Sequence, residues 1–400
     1  MVFIGAISYP LYLWHWPLLS FAHIIAGGDV GRAATWAAVG IAFVLAWATW
    51  RFIEWPIRRA TSGTRIPLLL AGTLASVGVL GLLDFRLVLP PRSDSLGVRN
   101  IVEATTTRAF PGPDLRQIPG EASDNAREQG SGPRAVLFIG DSQMEQYYPR
   151  INWLLSYQPA GSVHILYSSQ GGCPPVPGVR EDHLPLCKGL VEQGIRLAAR
   201  PDIDTVVIDA DWAGYFMGLR TPDDLDYYYE DANIRGPLGA LETPASKRAL
   251  RRLQDMVQDM TSTGKRVYIV LPSPTGAEFR PRRMVQRSFT DMSFRLHVPV
   301  ISSSMVSTRM QPIVAELRRI AGQTGAEVID PVAFLCNHDT CPLLSAGDVP
   351  VYKDSTHLNP RFVRMEATYL DQVLQPGQSM PKQMSTNQHA NLHTRADDGT

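Results

Sequence analysis

Three uncharged runs in the first 83 residues limit what this part of the chain can become. Residues 1–28, 33–50 and 66–83 contain no Asp, Glu, Lys or Arg, and the last two runs are each 18 residues long. Since about 17–25 apolar residues cross a hydrocarbon core, the runs predict three transmembrane helices. The first run lacks the basic leader of a cleaved signal peptide, and two further runs follow it directly. Short cytoplasmic loops collect Arg and Lys. Residues 50–66 hold Arg51, Arg58, Arg59 and Arg65, whereas residues 27–32 hold only Arg32, beside Asp29. The first helix is therefore expected to run outward, the second to return, and the third to deliver residues 84–400 outside. Trp14, Trp16, Trp50 and Trp55 fall near the span ends, where an amphipathic ring sits well at the headgroup level.

Charge and cysteine usage sharpen this division. Residues 1–83 carry a balance of +3 and residues 84–400 one of −3, so no large basic surface remains for a phosphate backbone, and nucleic acid is not an expected partner. All four cysteines, Cys173, Cys187, Cys336 and Cys341, lie in the part placed outside, where disulfides persist. Four cysteines allow three connectivities, of which the local pairs Cys173–Cys187 and Cys336–Cys341 are favoured. A zinc site would need tighter paired spacings and more nearby His, so no metal is expected.

The domain plan follows from composition and periodicity. Residues 1–83 form the three-helix membrane segment. Residues 84–132, rich in Pro, Gly, Ser and Thr, are expected to be a linker, part of which can pack on the following domain. From residue 133 to 375, apolar strands at 135–139, 163–167, 205–208, 267–271 and 328–329 alternate with helical stretches at 144–156, 190–199, 247–261, 310–324 and 361–374. That alternation predicts a three-layer α/β domain around a mostly parallel sheet. The acidic, Tyr-rich residues 221–243 break the pattern and are expected to be a surface insertion near the site end of the sheet. Residues 376–400 lack aromatic side chains and are expected to be a disordered tail.

The chemistry-bearing residues lie at strand ends. The run Ala135-Val136-Leu137-Phe138-Ile139 ends in Gly140-Asp141-Ser142-Gln143, immediately before a helical stretch. Ligands of open parallel sheets bind beyond the carboxyl ends of the strands, so Ser142 is expected at the mouth, with its backbone N–H suited to an oxyanion. Asp141 or Ser142 as a plain helix cap is the alternative. Near the other end of the domain stands Asp354-Ser355-Thr356-His357-Leu358. An Asp three residues before a His can take the imidazole Nδ1–H, leaving Nε2 to accept a serine proton. A weak hydroxyl nucleophile requires that arrangement.

These two blocks, Gly140-Asp141-Ser142 and Asp354-x-x-His357, resemble the SGNH hydrolase-like family over about residues 134–375. The resemblance implies Ser142 as nucleophile, His357 as general base and Asp354 as its orienter. It also implies an oxyanion-hole glycine within Ser168-Ser169-Gln170-Gly171-Gly172-Cys173, with Gly171 and Gly172 both open. The family's third-block Asn is missing from Val207-Ile208-Asp209-Ala210-Asp211-Trp212, and Gln143 stands where fused members frequently carry His. An ionised Asp cannot donate, so backbone N–H groups are expected to hold the oxyanion. Gln143, Asp211 and Trp212 are candidate substrate contacts, and Trp212, Tyr215 and Phe216 could stack on a sugar or fill the core.

The membrane segment resembles the last three helices of the membrane acyltransferase-3 superfamily. The matching residues are Ser8-Tyr9-Pro10-Leu11-Tyr12-Leu13-Trp14-His15-Trp16-Pro17 and Phe52-Ile53-Glu54-Trp55-Pro56. His15 is a candidate functional residue because an intramembrane His is costly unless paired or facing a cavity. Fused members are bacterial O-acyltransferases of cell-surface glycans. The resemblance implies an O-acyl transfer, of an acetyl group above all, to a cell-surface polysaccharide. It further implies an acyl-CoA (acetyl-CoA) donor, a multi-pass place in the inner membrane, no bound cofactor, and a chain truncated ahead of its first helix, the earlier membrane helices being missing. A membrane-anchored carbohydrate esterase is the alternative, and a noncatalytic glycan-binding domain a third reading.

Overall fold

A computed structural model of the chain describes residues 2–26, 30–59, 65–87, 96–121, 125–157, 161–219, 226–287 and 294–374. The chain divides into two units, residues 1–99 with 282–297 and residues 100–281 with 298–400.

In the first unit, helices occupy the three uncharged runs: α1 (Val2–Ala26), α2 (Arg32–Thr49) and α3 (Arg65–Leu87). Small residues let α1 and α2 approach, with Ala38, Ala42 and Ala46 buried on α2 and Ile7 buried on α1. The Trp14 indole N–H donates to the Thr49 hydroxyl across this pair at 2.9 Å. Helix α2 runs on through a π-turn, Trp50–Glu54, into Trp55–Arg59, where the Arg51 and Arg59 guanidinium groups both stack on the Trp55 ring. Among the described residues one helix, Arg32–Ile57, is long and apolar enough to cross a membrane, and Leu68–Leu83 is a shorter apolar helix. A hairpin, Val285–Arg287 with Phe294–Leu296, also belongs to this unit.

The second unit is built on a seven-stranded sheet: β1 (Arg116–Gln117), β2 (Ala126–Gly130), β3 (Ala135–Gly140), β4 (His164–Ser169), β5 (Ile203–Asp209), β6 (Arg266–Val270) and β7 (Glu327–Ile329). The spatial order is β1-β2-β4-β3-β5-β6-β7. The five strands from β4 to β7 are parallel, while β1 and β2 run antiparallel to their neighbours. All six residues of β3 are buried, as expected for a central strand covered on both faces. One face carries Leu137, Ile139, Leu166 and Ile208 in a core shared with α7 (Leu190–Ala198), α9 (Pro244–Ser262) and α10 (Ser303–Thr324). The opposite face is more aromatic: Phe138 stacks on Tyr167, and Phe110 meets both Tyr167 and Tyr148 edge-on. The main helices start where side chains satisfy their first N–H groups: the Thr243 hydroxyl accepts from Ser246 N–H on α9, and Ser302 from Met305 N–H on α10.

The α/β architecture and the mostly parallel sheet follow the sequence expectation, and the strands sit where the apolar runs placed them. Of the expected linker, residues 96–121 and 125–130 carry regular structure and pack on the domain, more of the stretch than its composition suggested. This stretch contributes α4 (Leu96–Thr106), with Ile101 and Ala104 buried, and then β1 and β2 of the sheet. Asn100 anchors α4 by donating to the carbonyls of Gly347 and Asp348. Its polar composition hid an apolar stripe carried by few residues. The Tyr-rich stretch is likewise more than a surface insertion: Tyr228–Glu230 and Arg235–Pro237 form a hairpin joined by Val179–Arg180, and Tyr229 is fully buried. The tail expected at residues 376–400 lies outside the described residues. The four cysteines pair locally as Cys173–Cys187 and Cys336–Cys341.

Candidate active site

The carboxyl end of β3 leads straight into α5 (Ser142–Glu145), after which α6 (Tyr148–Tyr157) continues down the sheet. Glycine is required at position 140 because the neighbouring strand comes close: a Cβ there would lie 2.1 Å from the Asp209 carbonyl oxygen. Asp141, 1% exposed, caps α5 by accepting from Gln143 N–H at 2.8 Å. It also accepts from Asp211 N–H at 3.0 Å and from the Tyr215 hydroxyl, so one buried carboxylate ties the turn beyond β3 to the turn beyond β5. Burial and the charge of Asp211 push the Asp141 carboxyl up to about 6, against the pull of the Tyr215 hydroxyl and these backbone donors. Asp141 thus fills the capping role open to it in the sequence, and Ser142 is left half-exposed at the mouth.

His357 arrives from a chain position 215 residues away and places Nε2 2.8 Å from Ser142 Oγ. Its Nδ1–H faces both oxygens of Asp354, at 3.0 and 2.9 Å. Asp354 also accepts the backbone N–H groups of Thr356 (2.9 Å) and His357 (2.8 Å). Partial burial raises the Asp354 carboxyl, but the hydrogen bond and electrostatic attraction of the His357 ring and the two backbone donors outweigh burial and hold it well below the ordinary carboxylate range. An anionic Asp354 fixes Nδ1 as the donor nitrogen, which leaves Nε2 to accept from Ser142. The loop is held from behind as well, since Thr275 Oγ1 and Gly276 N–H both donate to the Ser355 carbonyl.

The two candidate glycines separate. A Cβ on Gly171 would sit 3.8 Å from Ser142 Cβ and 3.8 Å from Glu145 Oε2, so the backbone of this residue flanks Ser142. Gly172 has a positive φ of 77° and engages Tyr227, whose hydroxyl donates to its carbonyl at 2.7 Å. Glu145, unremarked in the sequence, lies one turn beyond Ser142 with a carboxyl pushed up to about 7 by burial and by the charge of Asp141, partly offset by Ser169, His357 and Lys353.

The structure gives the candidate substrate contacts roles within the protein itself. Trp212 is fully buried in α8 (Trp212–Met217) and donates its indole N–H to the Val270 carbonyl at 2.9 Å. Tyr215 and Phe216 are buried with it, so these aromatic residues are core. Asp211 caps α8, accepting from Gly214 N–H at 3.0 Å. Gln143 is 6% exposed and its amide is engaged by protein groups. In the first unit, His15 Nδ1 donates to the Leu11 carbonyl at 3.1 Å within its own helix.

Residues 112–372 match the family described as the SGNH domain fused to AT3 domains, and the chain belongs to that family. Similar solved structures include the periplasmic domain of the lipopolysaccharide acetyltransferase of Salmonella ser. Paratyphi A, at 13% identity and a TM-score of 0.43, covering 61% of this chain and 84% of that one. An acetyl xylan esterase shows 13% identity and a TM-score of 0.31 over 59% of this chain and 97% of its own. A variant acetyl-xylooligosaccharide esterase from Geobacillus shows 14% and 0.33 over 64% and 98%. Among curated proteins no sequence matches the chain.

Proposed function

We propose that the chain is an O-acyltransferase of the bacterial envelope, whose second unit lies outside the membrane and passes an acyl group, in the first place acetyl, to a hydroxyl of a cell-surface polysaccharide. The observation that carries this reading is the 2.8 Å contact of His357 Nε2 with Ser142 Oγ, continued by the 2.9 Å contact of Nδ1 with Asp354. In the first half-reaction Ser142 Oγ attacks the acyl carbonyl while His357 takes its proton, the Ser142 and Gly171 backbone N–H groups hold the oxyanion, and His357 protonates the leaving group. In the second, His357 deprotonates an acceptor hydroxyl as it attacks the acyl-serine, then returns that proton to Ser142 Oγ as the ester bond to the serine breaks, releasing the acylated acceptor and the free hydroxyl.

The helices of the first unit support a multi-pass anchor in the inner membrane. Apolar side chains project outward along residues 68–83 of α3, with Leu74 75% exposed and Leu68, Leu69, Val77 and Leu80 also exposed, an arrangement that suits lipid better than water. Acetyl-CoA is the donor in keeping with an acetyltransferase that draws on the cytoplasm, and the family's fusion to AT3 domains fits delivery through the membrane. With water in place of the sugar hydroxyl, the same triad makes an esterase.

The test is acyl transfer from an aryl acetate by the purified chain, with a soluble oligosaccharide as competing acceptor. Ser142→Ala and His357→Ala should each abolish acetate release while circular dichroism is unchanged, with similar losses because the triad acts as a unit. Acetylated oligosaccharide would support transfer, whereas free acetate alone would favour the esterase. Turnover surviving in folded Ser142→Ala would end the nucleophile assignment.

A further inference from the structure

Three hydrogen bonds link the nucleophile's turn to the backbone on either side of His357. Leu358 N–H donates to Gln146 Oε1 at 2.8 Å, Gln146 Nε2 donates to Gln143 Oε1 at 2.9 Å, and Gln143 Nε2 donates to the Thr356 carbonyl at 3.2 Å. The donors all point one way around, from the residue after His357 through two side-chain amides to the residue before it. Such a directed chain polarises its members cooperatively and fixes both amide orientations, since turning either amide over sets like atoms against each other.

We propose that Gln143 and Gln146 are positioning residues that hold His357 in register with Ser142, through the backbone and without touching substrate. The proposal rests on the reading of Ser142 as nucleophile and His357 as base. The i, i+3 spacing of the two glutamines puts them on one side of the turn that begins at Ser142, so each amide connects the base to the element that aims the nucleophile. A neutral amide is required at position 143, because a carboxylate there has no donor for the Thr356 carbonyl and would be a charge at a site only 6% exposed. The loop keeps its other anchors, Ser355 on Thr275 and Gly276 and the Asn359 amide on the Pro350 carbonyl, so losing the glutamine chain loosens the ring position without releasing the loop. A displacement of about 1 Å in such a site costs on the order of a hundredfold in rate.

The experiment compares Gln143→Met, Gln146→Leu, the double variant and Gln146→Glu in the purified full chain, with an aryl acetate as substrate. Each near-isosteric variant should lower kcat about ten- to a hundredfold with KM unchanged within a factor of two, and should slow labelling of Ser142 by a fluorophosphonate by the same factor. The double variant should be little worse than either single one, because the chain fails as a unit. Gln146→Glu keeps the acceptor for Leu358 N–H but sets a carboxylate oxygen against Gln143 Oε1, so it should lose at least as much as Gln146→Leu. Thermal midpoints and near-UV circular dichroism are read on every variant, so that a loss of folding is not counted as loss of positioning. Kcat within twofold of the parent in folded Gln143→Met and Gln146→Leu, or losses that multiply in the double variant, would overturn the proposal. If Ser142→Ala also remains active, it is the functional reading that has failed.

Discussion

Replacing Glu145 by Gln should stabilise the protein in a way that depends on pH. The carboxyl titrates near 4.5 in an unfolded chain and near 7 in the folded one, because burial and then the Asp141 charge oppose its ionisation. The folded state therefore holds a proton that the unfolded state has already released, and the stability this provides is complete below pH 4.5 and is lost as pH rises through 7. A displacement from 4.5 to about 7 corresponds to roughly 3 kcal/mol at 1.36 kcal/mol for each tenfold, of which roughly 2–3 kcal/mol is lost between pH 5 and pH 8.5. Glutamine cannot ionise, so it escapes this loss. Glu145→Gln should lie close to the parent at pH 5 and exceed it by about 5–10 °C in thermal midpoint at pH 8.5. The measurement is thermal unfolding of both proteins side by side across that range, with the gap between them as the readout so that titrating groups not coupled to Glu145 cancel. A gap that does not widen with pH would show that Glu145 ionises freely, and the burial argument would be wrong.

Two further outcomes follow from the same geometry. Asp354→Asn should lower kcat by about a thousandfold or more with little change in fold, since Nδ1 loses its anionic partner and the tautomer with Nε2 as acceptor is no longer imposed; stopped-flow with an aryl acetate reads it. Gly140→Ala should fail to accumulate as folded protein, because a Cβ would press to 2.1 Å from the Asp209 carbonyl and 2.7 Å from Met144 Cβ, whereas Gly171→Ala, whose nearest contacts are at 3.8 Å, should fold normally; limited proteolysis separates the two.

The parts of this structure legible in sequence are those whose signal is local. The apolar run 135–139 ending in Gly-Asp-Ser placed both a strand and the serine at its end, and the three-residue interval from Asp354 to His357 already contained the carboxylate–imidazole pair. What stayed hidden depends on partners distant along the chain. Strand β2 reads Ala-Arg-Glu-Gln-Gly, with little apolar content to announce it, and becomes a strand through pairing with β4. Gln143 looked free to meet a ligand because nothing nearby shows that the Thr356 carbonyl, 213 residues on, takes its amide. Trp212 follows a site-end strand, which suggests an exposed platform, until Val270 supplies an acceptor within the core. The different surroundings of Gly171, beside Ser142, and of Gly172, at positive φ beside Tyr227, are a matter of backbone conformation that two adjacent glycines do not disclose.

Strand β2 also determines where the catalytic unit can be cut from the rest. It precedes β3 in the chain yet pairs along the outer side of β4, matching Ala126 through Gly130 to Ser168 through His164. Severing the chain just before β3 would leave that flank of β4, largely buried in the intact protein, with a row of bare amide and carbonyl groups. Such a flank is a template for another copy of itself, and chains shortened in this way are prone to self-association before any question of activity arises. The stretch that reads as a tether is thus the sheet's own guard, and the separable catalytic body begins ahead of Arg116.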